Sequence, residues 1–158
     1  MSLPSSAIGG TLTVVVAWLA IGFAGLVAPR SFRYVARVLF PVSAVLSLVL
    51  AGLGLMALPA APQVLVLPIG LPGLPFHVRL DALSAFFLVV LGLASAGVTV
   101  FAAGYFRPGE GTAPGLMGLE YHVFLAAMAL VMLADDAYAF MVCWELMALS
   151  SYFLVTTK

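Results

Sequence analysis

Residues 137–155 read AYAFMVCWELMALSSYFLV, an apolar run that is long enough to cross the hydrocarbon core of a bilayer as a helix. One carboxylate, Glu145, falls near the middle of this run. A charge at that depth costs about 3 kcal/mol on insertion scales, so a chain seldom keeps one for packing alone. We therefore expect Glu145 to be a functional carboxylate that faces the interior of a helix bundle. The alternative is a neutral glutamic acid that only fixes helix–helix packing.

The composition of the whole chain indicates an integral membrane protein. Of its 158 residues, 65% are hydrophobic and 8% are charged, whereas a soluble domain has about 45–50% apolar and about 25% charged residues. The formal net charge is zero and the ionisable residues are scattered, so no nucleic-acid partner is expected. The single cysteine, Cys143, excludes an internal disulfide and a cysteine-based metal site. We expect no metal and no other cofactor on this chain.

Five apolar segments predict an all-α membrane protein with one polytopic region over residues 1–158. We place the spans at about residues 8–28, 38–58, 82–105, 116–134 and 137–156. Residues 59–80 connect spans two and three and contain five prolines, which rule out a helix. Two β-prone pieces, Val64–Leu67 and Phe76–Leu80, flank a Gly/Pro turn and predict a β-hairpin or an extended flap on the outer surface.

Small residues four apart form ridges on three of the spans. Such ridges let helix backbones approach closely in lipid, although alanine-rich composition alone would also produce them. The ridge residues are Ala20, Ala24 and Ala28 in span one, Ser43, Ser47 and Ala51 in span two, and Gly92 and Ala96 in span three.

Basic residues predict the orientation of the chain in the cell (inner) membrane. Alternating spans put the following residues on one side: Arg30, Arg33, Arg37, Arg107 and Lys158. The positive-inside rule makes that side the cytoplasm and puts the N-terminus outside. Only Arg79 disagrees with this assignment.

Two tyrosines share the helical face of Glu145. Tyr138 and Tyr152 each lie two helical turns away, and their hydroxyls, with water, could extend a proton path along that face. A carboxyl surrounded by hydrocarbon favours its neutral form. Proton uptake and release then occur nearer to physiological pH. His122, in the inner part of span four, is a further candidate for proton transfer. Its alternative is an interfacial residue with one wet edge.

The three aspartates are interpreted as structural. Asp81, with Ser84, opens span three, and we expect a helix N-cap rather than an ion-entry carboxylate. Arg79 is positioned to pair with Asp81 at the interface. Asp135 and Asp136 form a tight outer turn, which is solvated or, alternatively, is a mouth that concentrates cations. No nucleophile–base pair is visible by spacing, so no chemistry is expected on this chain itself.

A resemblance to a known family rests on Leu133–Asp136, Phe140 and Trp144–Leu154. These residues resemble the signature of the proton-translocating antiporter-like subunits of respiratory complex I, Mrp sodium/proton antiporters and membrane-bound hydrogenases. The string WELMALSSYFL is most similar to the branch of hydrogenase 4 component B and formate hydrogenlyase subunit 3. The string LDALSAFF, residues 80–87, matches the opening of the family's third helix, and the similarity covers about residues 76–154.

The resemblance implies a role and a set of partners. Glu145 matches the essential carboxylate of the family's fifth helix, which pairs with a lysine on a later, broken helix and takes part in proton transfer. Family members have many more helices in two inverted repeats, so five helices predict the N-terminal part of a longer subunit. The implied partners are other membrane subunits of a hydrogenase or complex I-like assembly, lipid, and protons or sodium ions. Redox centres would lie on other subunits of that oxidoreductase complex.

Two other functions stay open at this point. One is an Mrp-type cation/proton antiporter subunit. The other is a non-catalytic assembly or scaffold protein in which Glu145 only locks helices together.

The predicted orientation can be checked by cysteine labelling. In a Cys143→Ser background, we expect Gln63→Cys to react with a membrane-impermeant thiol reagent added to intact cells, and Ser31→Cys to be protected. Labelling at position 31 with protection at position 63 would reverse the predicted topology.

Overall fold

The computed structural model describes residues 6–105, 107, 109 and 111–156, and Lys158 of the charge count lies outside them. Within these residues five helices are long and apolar enough to cross a membrane. They are α1 (Ala7–Val27), α2 (Phe32–Ala57), α3 (Ala82–Tyr105), α4 (Pro114–Leu133) and α5 (Ala137–Val155). Strands β1 (Gln63–Leu71) and β2 (Leu74–Leu80) form an antiparallel hairpin between α2 and α3. The predicted fold, a multi-pass helical membrane protein with one hairpin, is confirmed.

Helix α2 begins several residues earlier than the sequence predicted. Ser31 caps its first turn, and a π-helical turn over Val35–Leu39 joins that turn to the rest of the helix. Arg33 and Arg37 therefore lie on helical backbone and not in a loop, and both are exposed. The helix can extend through these arginines because long basic side chains reach the polar headgroup region from the end of a span.

The hairpin accommodates its prolines at irregular positions. The ladder shifts between Leu67 and Gly70, so Pro68 falls in the irregular stretch, where its missing N–H disturbs no regular pairing. The strands are joined at Pro72 and Gly73, and Gly73 has φ +81°. Proline followed by a residue with positive φ is the pattern of a type II turn.

The hairpin packs against the ends of α1, α4 and α5. Val78 forms an isolated bridge with Ala134, and Val78 and Leu80 are buried. The backbone N–H of Ile8 donates to Gln63 Oε1 at 3.0 Å. The start of α1 and the α4–α5 turn therefore lie at one end of the bundle, which we call the hairpin end.

Close approach of α2 and α3 depends on small residues. A Cβ added to Gly92 would lie 2.6 Å from the Ser47 carbonyl oxygen and 2.6 Å from the Ala51 nitrogen, too close for any side chain. The predicted ridges of spans two and three thus face each other directly. In lipid such backbone proximity favours helix association through van der Waals packing.

The ridge predicted on α1 is not the one that the structure uses. Ala20 is exposed, whereas Gly22 and Gly25 are buried against α4. Gly25 is in direct backbone contact with Gly115, close to the start of α4. Glycine permits a closer approach than alanine, so the two glycines and not the alanines mark the interface.

A pair of glycine substitutions in α3 tests this packing. We expect Gly92→Ala to lower the free energy of unfolding by about 1–3 kcal/mol, because the new methyl group must push α2 away. A Cβ added to Gly97 would meet no atom within 4 Å, so Gly97→Ala should be neutral or slightly stabilising, by up to about 1 kcal/mol. Both can be measured by denaturation of the purified protein in detergent. Equal effects of the two substitutions would refute the close contact.

Candidate functional site

Glu145 lies on the face of α5 that the other helices leave uncovered. Its side chain is exposed, and within the described part of the chain it makes no hydrogen bond or ion pair. The buried residues of α5, Ala139, Cys143 and Ser150, lie on the side that packs against α4. Only 17% of the most apolar window of α5 is buried, against 39–44% in the other four helices. We expected Glu145 to face a bundle interior; among these five helices it does not, because α5 is covered on one side only.

Tyr138 and Tyr152 share the face of Glu145, in agreement with their seven-residue spacing. Each Cα lies about 10 Å along the helix axis from that of Glu145, so the hydroxyls do not bond to its carboxylate directly. Tyr152 is 63% exposed. The Tyr138 ring packs edge-on against Phe76 of β2, with ring centroids 5.5 Å apart. A hydrogen-bonded path along this face therefore requires water or a partner between the three side chains.

His122 lies in the core of the bundle, between α2 and α4, and is 1% exposed. Its Nδ1 is 2.6 Å from the Gly118 carbonyl oxygen, and its Nε2 is 2.8 Å from Ser43 Oγ. A carbonyl oxygen can only accept, so in the neutral ring Nδ1 carries the hydrogen and Nε2 accepts from the Ser43 hydroxyl. The alternative of an interfacial residue with a wet edge is wrong, because the helices around His122 exclude solvent from it.

A second polar pair lies beside His122. The hydroxyls of Tyr121 and Thr99 are 2.8 Å apart, and the Tyr121 hydroxyl also lies 3.4 Å from the Ser95 carbonyl oxygen. The Phe40 ring contacts both aromatic neighbours on α4, with centroids 6.2 Å from Tyr121 and 6.1 Å from His122. Polar side chains of α2, α3 and α4 thus form one buried cluster around an aromatic centre.

Two buried side-chain atoms lack a hydrogen-bond partner in the described part of the chain: Trp18 Nε1 and Glu120 Oε2. Buried polar groups are nearly always paired, so each such atom requires an explanation. Trp18 is a fully buried residue of α1. Glu120 lies in α4, near the end of the bundle opposite the hairpin, and is only partly buried as a whole.

Charged residues at the hairpin end pair with each other. The backbone N–H of His77 donates to Asp136 Oδ2 at 3.1 Å, and His77 Nδ1 lies 3.0 Å from the same oxygen. Arg79 Nε lies 2.8 Å from Asp135 Oδ1, and the Asp135 N–H donates to the His77 carbonyl oxygen at 2.9 Å. We call these four residues, His77, Arg79, Asp135 and Asp136, the hairpin latch.

The hairpin latch corrects one interpretation of the sequence and adds contacts to another. Arg79 forms its ion pair with Asp135 and not with Asp81, because the hairpin folds over the α4–α5 turn. Asp135 and Asp136 stay accessible, as expected of a solvated turn, and each also contacts a side chain of β2.

Two aspartates accept hydrogen bonds from the first turns of helices. Asp81 Oδ1 accepts from the Ser84 N–H at 2.9 Å, which is N-cap geometry at the start of α3. This bond holds the pKa of the Asp81 carboxyl below its usual range. Asp136 caps α5 in the same way, through the Ala139 N–H at 2.7 Å. That bond, followed by those from His77, lowers the pKa of Asp136.

The buried cluster was largely missed from the sequence. Ser43 was identified only as a small packing residue, and Thr99 and Tyr121 were not singled out at all. The sequence feature that could have identified these residues is the hydroxyl group of each side chain. A hydroxyl deep in an apolar span must find a hydrogen-bond partner on its own or a neighbouring helix. No group of three or more His, Cys, Asp or Glu side chains that could hold a metal occurs among the described residues.

The comparisons with known proteins give partial matches. No family model matches the chain. It is 36% identical, over 80 residues and 51% of its length, to hydrogenase-4 component B of Escherichia coli (strain K12). It is 35% identical, over 111 residues and 68% of its length, to an uncharacterized protein of Mycobacterium tuberculosis (strains CDC 1551 / Oshkosh and ATCC 25618 / H37Rv). The matches cover 12% and 17% of the relatives' own lengths, so the chain spans a small part of the proteins that it resembles.

The His122–Ser43 hydrogen bond can be tested with two serine substitutions in α2. Ser43→Ala leaves His122 Nε2 buried without a partner, so we expect a loss of about 1–3 kcal/mol in the free energy of unfolding. Ser47 is the matched control, since its hydroxyl donates only to the Ser43 carbonyl oxygen of its own helix, at 3.0 Å. Ser47→Ala should therefore cost less, and a larger loss at position 47 than at position 43 would contradict the assignment. Detergent-solubilised protein and a denaturant titration suffice.

Proposed function

We propose that this chain forms part of a membrane subunit that translocates protons in an energy-converting hydrogenase, formate hydrogenlyase or complex I-like assembly. The similarity to hydrogenase-4 component B supports this assignment. So does the architecture, in which five membrane-spanning helices carry a carboxylate in the middle of the fifth. The redox chemistry, with its cofactors, would be performed by other subunits of the assembly.

The uncovered position of Glu145 is the observation that carries the proposal. An unpaired carboxylate facing hydrocarbon is costly, so a residue in this position favours a partner that lies outside the five helices. The resemblance to the antiporter-like family suggests the partner, a lysine on a later helix. A nearby cation that moves or changes its charge would alternately favour the ionised and the protonated form of Glu145. Such alternation is what a proton relay requires.

Tyr138, Tyr152 and His122 have supporting roles in this proposal. The two tyrosines extend the polar face of Glu145 in both directions along α5, with water between the hydroxyls. His122 would exchange a proton through Ser43, because its other nitrogen is bonded to the Gly118 carbonyl oxygen. The chain would lie in the cell (inner) membrane, with the hairpin end and the N-terminus outside.

The alternatives differ in what they predict for Glu145. A scaffold role would require Glu145 to lock helices together, and it contacts no polar group of the other four described helices. An Mrp-type cation/proton antiporter subunit would use the same carboxylate, with sodium as a second ion. The name of the Escherichia coli relative favours the hydrogenase assembly over the antiporter.

A neutral substitution of the carboxylate tests the proposed function. In the complete subunit, within its assembly, we expect Glu145→Gln to lower the rate of proton translocation by about tenfold or more, because glutamine cannot bind and release a proton. Assembly and insertion should be preserved, since glutamine keeps the size and the hydrogen-bonding capacity of the side chain. The rate can be followed with a pH-sensitive dye in inverted membrane vesicles.

The control for this experiment is a carboxylate with a different expected role. Asp81→Asn removes a charge but retains an acceptor for the Ser84 N–H, so it should alter stability by about 1 kcal/mol or less and leave translocation near the wild-type rate. A normal rate in the Glu145→Gln variant, at wild-type levels of the assembled complex, would assign Glu145 to a structural role.

A further inference from the structure

We propose that Glu120 is a second proton-binding carboxyl, located between α4 and α5 at the end opposite the hairpin. At that position Glu120 would bind protons before they reach Glu145. This order of transfer rests on the proposed function. Its starting point is the buried Glu120 Oε2, which has no hydrogen-bond partner among the residues that the structure describes. An ionised carboxylate with a buried, unbonded oxygen would be disfavoured, whereas a protonated one is less costly to bury.

The packing of α4 against α5 places a hydroxyl at the level of Glu120. The two helices are antiparallel, and Glu120 and Ser150 lie equally far along the sequence from Asp135 in the turn between them. Ser150 is buried, as are Ala127 on α4 and Cys143 on α5 nearer to the turn. The interface between the helices therefore continues down to the level of Glu120 and Ser150.

The hydrogen bonds of Ser150 within α5 would favour the protonated form of a carboxyl that reached its hydroxyl. The Ser150 hydroxyl points back along α5, 2.8 Å from the Leu146 carbonyl oxygen and 3.0 Å from that of Met147. Its hydrogen is thus committed to α5, and only its lone pairs remain for Glu120 or for a bridging water. A carboxylic acid has a hydrogen to donate to those lone pairs, and a carboxylate has none.

The depth of Glu120 in the bundle suits a residue that takes up protons from the end opposite the hairpin. Helix α4 begins at Pro114, so the Cα of Glu120 lies about 9 Å along the axis from that end. Helix α5 ends at Val155, and the Cα of Glu145 lies about 15 Å from the same end of the bundle. Because Glu120 is also only partly buried, a proton that enters from this end meets Glu120 first.

Among the residues that the structure describes, few other titratable groups face Glu120. Helices α1 and α3, which also pack against α4, contain no Asp, Glu, His, Lys or Arg in their described spans. On α5, Cys143 lies closer to the hairpin end, and Glu145 lies on the uncovered face. On α4, His122 is bonded to Ser43 and Tyr121 to Thr99, each on a different helix from α5.

The basic groups of the neighbouring elements do not neutralise Glu120 either. Four exposed arginines lie at the same end of the bundle as Glu120, and among the described residues none forms an ion pair with it: Arg30, Arg33, Arg37 and Arg107. On the hairpin, Arg79 is paired with Asp135. No ion pair joins Glu120 to a basic side chain in the described part of the chain, so the burial of its oxygen Oε2 favours the protonated form.

A chemical label tests the charge state of Glu120 without any substitution. Dicyclohexylcarbodiimide enters apolar regions and converts protonated carboxyls to N-acylureas. In the complete assembly we expect the peptide that contains Glu120 to carry the adduct, with a yield that falls as the pH is raised. A Glu120 peptide that stays unmodified while the Glu145 peptide is labelled would overturn the proposal.

Substitutions then test the role in transport. We expect Glu120→Gln in the complete subunit to lower proton translocation by about tenfold, and Glu120→Asp to restore part of the rate, because aspartate can still bind a proton. A normal rate in Glu120→Gln, together with a reduced rate in Glu145→Gln, would overturn this inference and leave the proposed function intact. A normal rate in Glu145→Gln would overturn the proposed function itself, and with it the order of transfer between the two carboxyls.

Discussion

Because Gly22 has no side chain, the helices of this bundle can pack around one buried imidazole, that of His122. A Cβ at position 22 would lie 3.2 Å from the Cβ of His122 and 3.2 Å from a methyl carbon of Leu119. With that space free, α4 lies close to α1 while His122 reaches Ser43 on α2. Lipid tails are as apolar as the helix surfaces, so close packing and polar contacts of this kind must hold the helices together.

The carboxylates of the described residues divide into two groups by depth. At the hairpin end Asp81, Asp135 and Asp136 are all engaged by backbone N–H groups or basic side chains. Within the spans, Glu145 has no partner in the described part of the chain, and one oxygen of Glu120 has none. Charges that stabilise a structure are normally satisfied, whereas unsatisfied ones inside a membrane segment are candidates for function. The hairpin latch and the helix caps thus stabilise the fold that carries the two glutamates.

Hydropathy and proline content were sufficient to predict the spans and the hairpin, because both follow from local composition. The sequence did not predict the start of α2, because the arginines in its first turns are typical of a loop exposed to water. The partners of Ser43 and Tyr121 were beyond prediction, since His122 is 79 positions from Ser43 and Thr99 is 22 positions from Tyr121. Glu145 was expected to face a bundle interior, but the residues of α5 alone do not show that the other four helices cover only one side of it.

The hairpin latch has a consequence for the order of events during synthesis. Its contacts join residues that are far apart in the chain: 59 positions separate His77 from Asp136, and 56 separate Arg79 from Asp135. The hairpin is complete long before its aspartate partners leave the ribosome. The hairpin, whether fully or only partly paired, therefore lacks its aspartate partners until α4 has been inserted and the start of α5 has emerged. The late arrival of Asp135 and Asp136 would then act as a checkpoint, because the hairpin end closes only around a correctly threaded fourth helix.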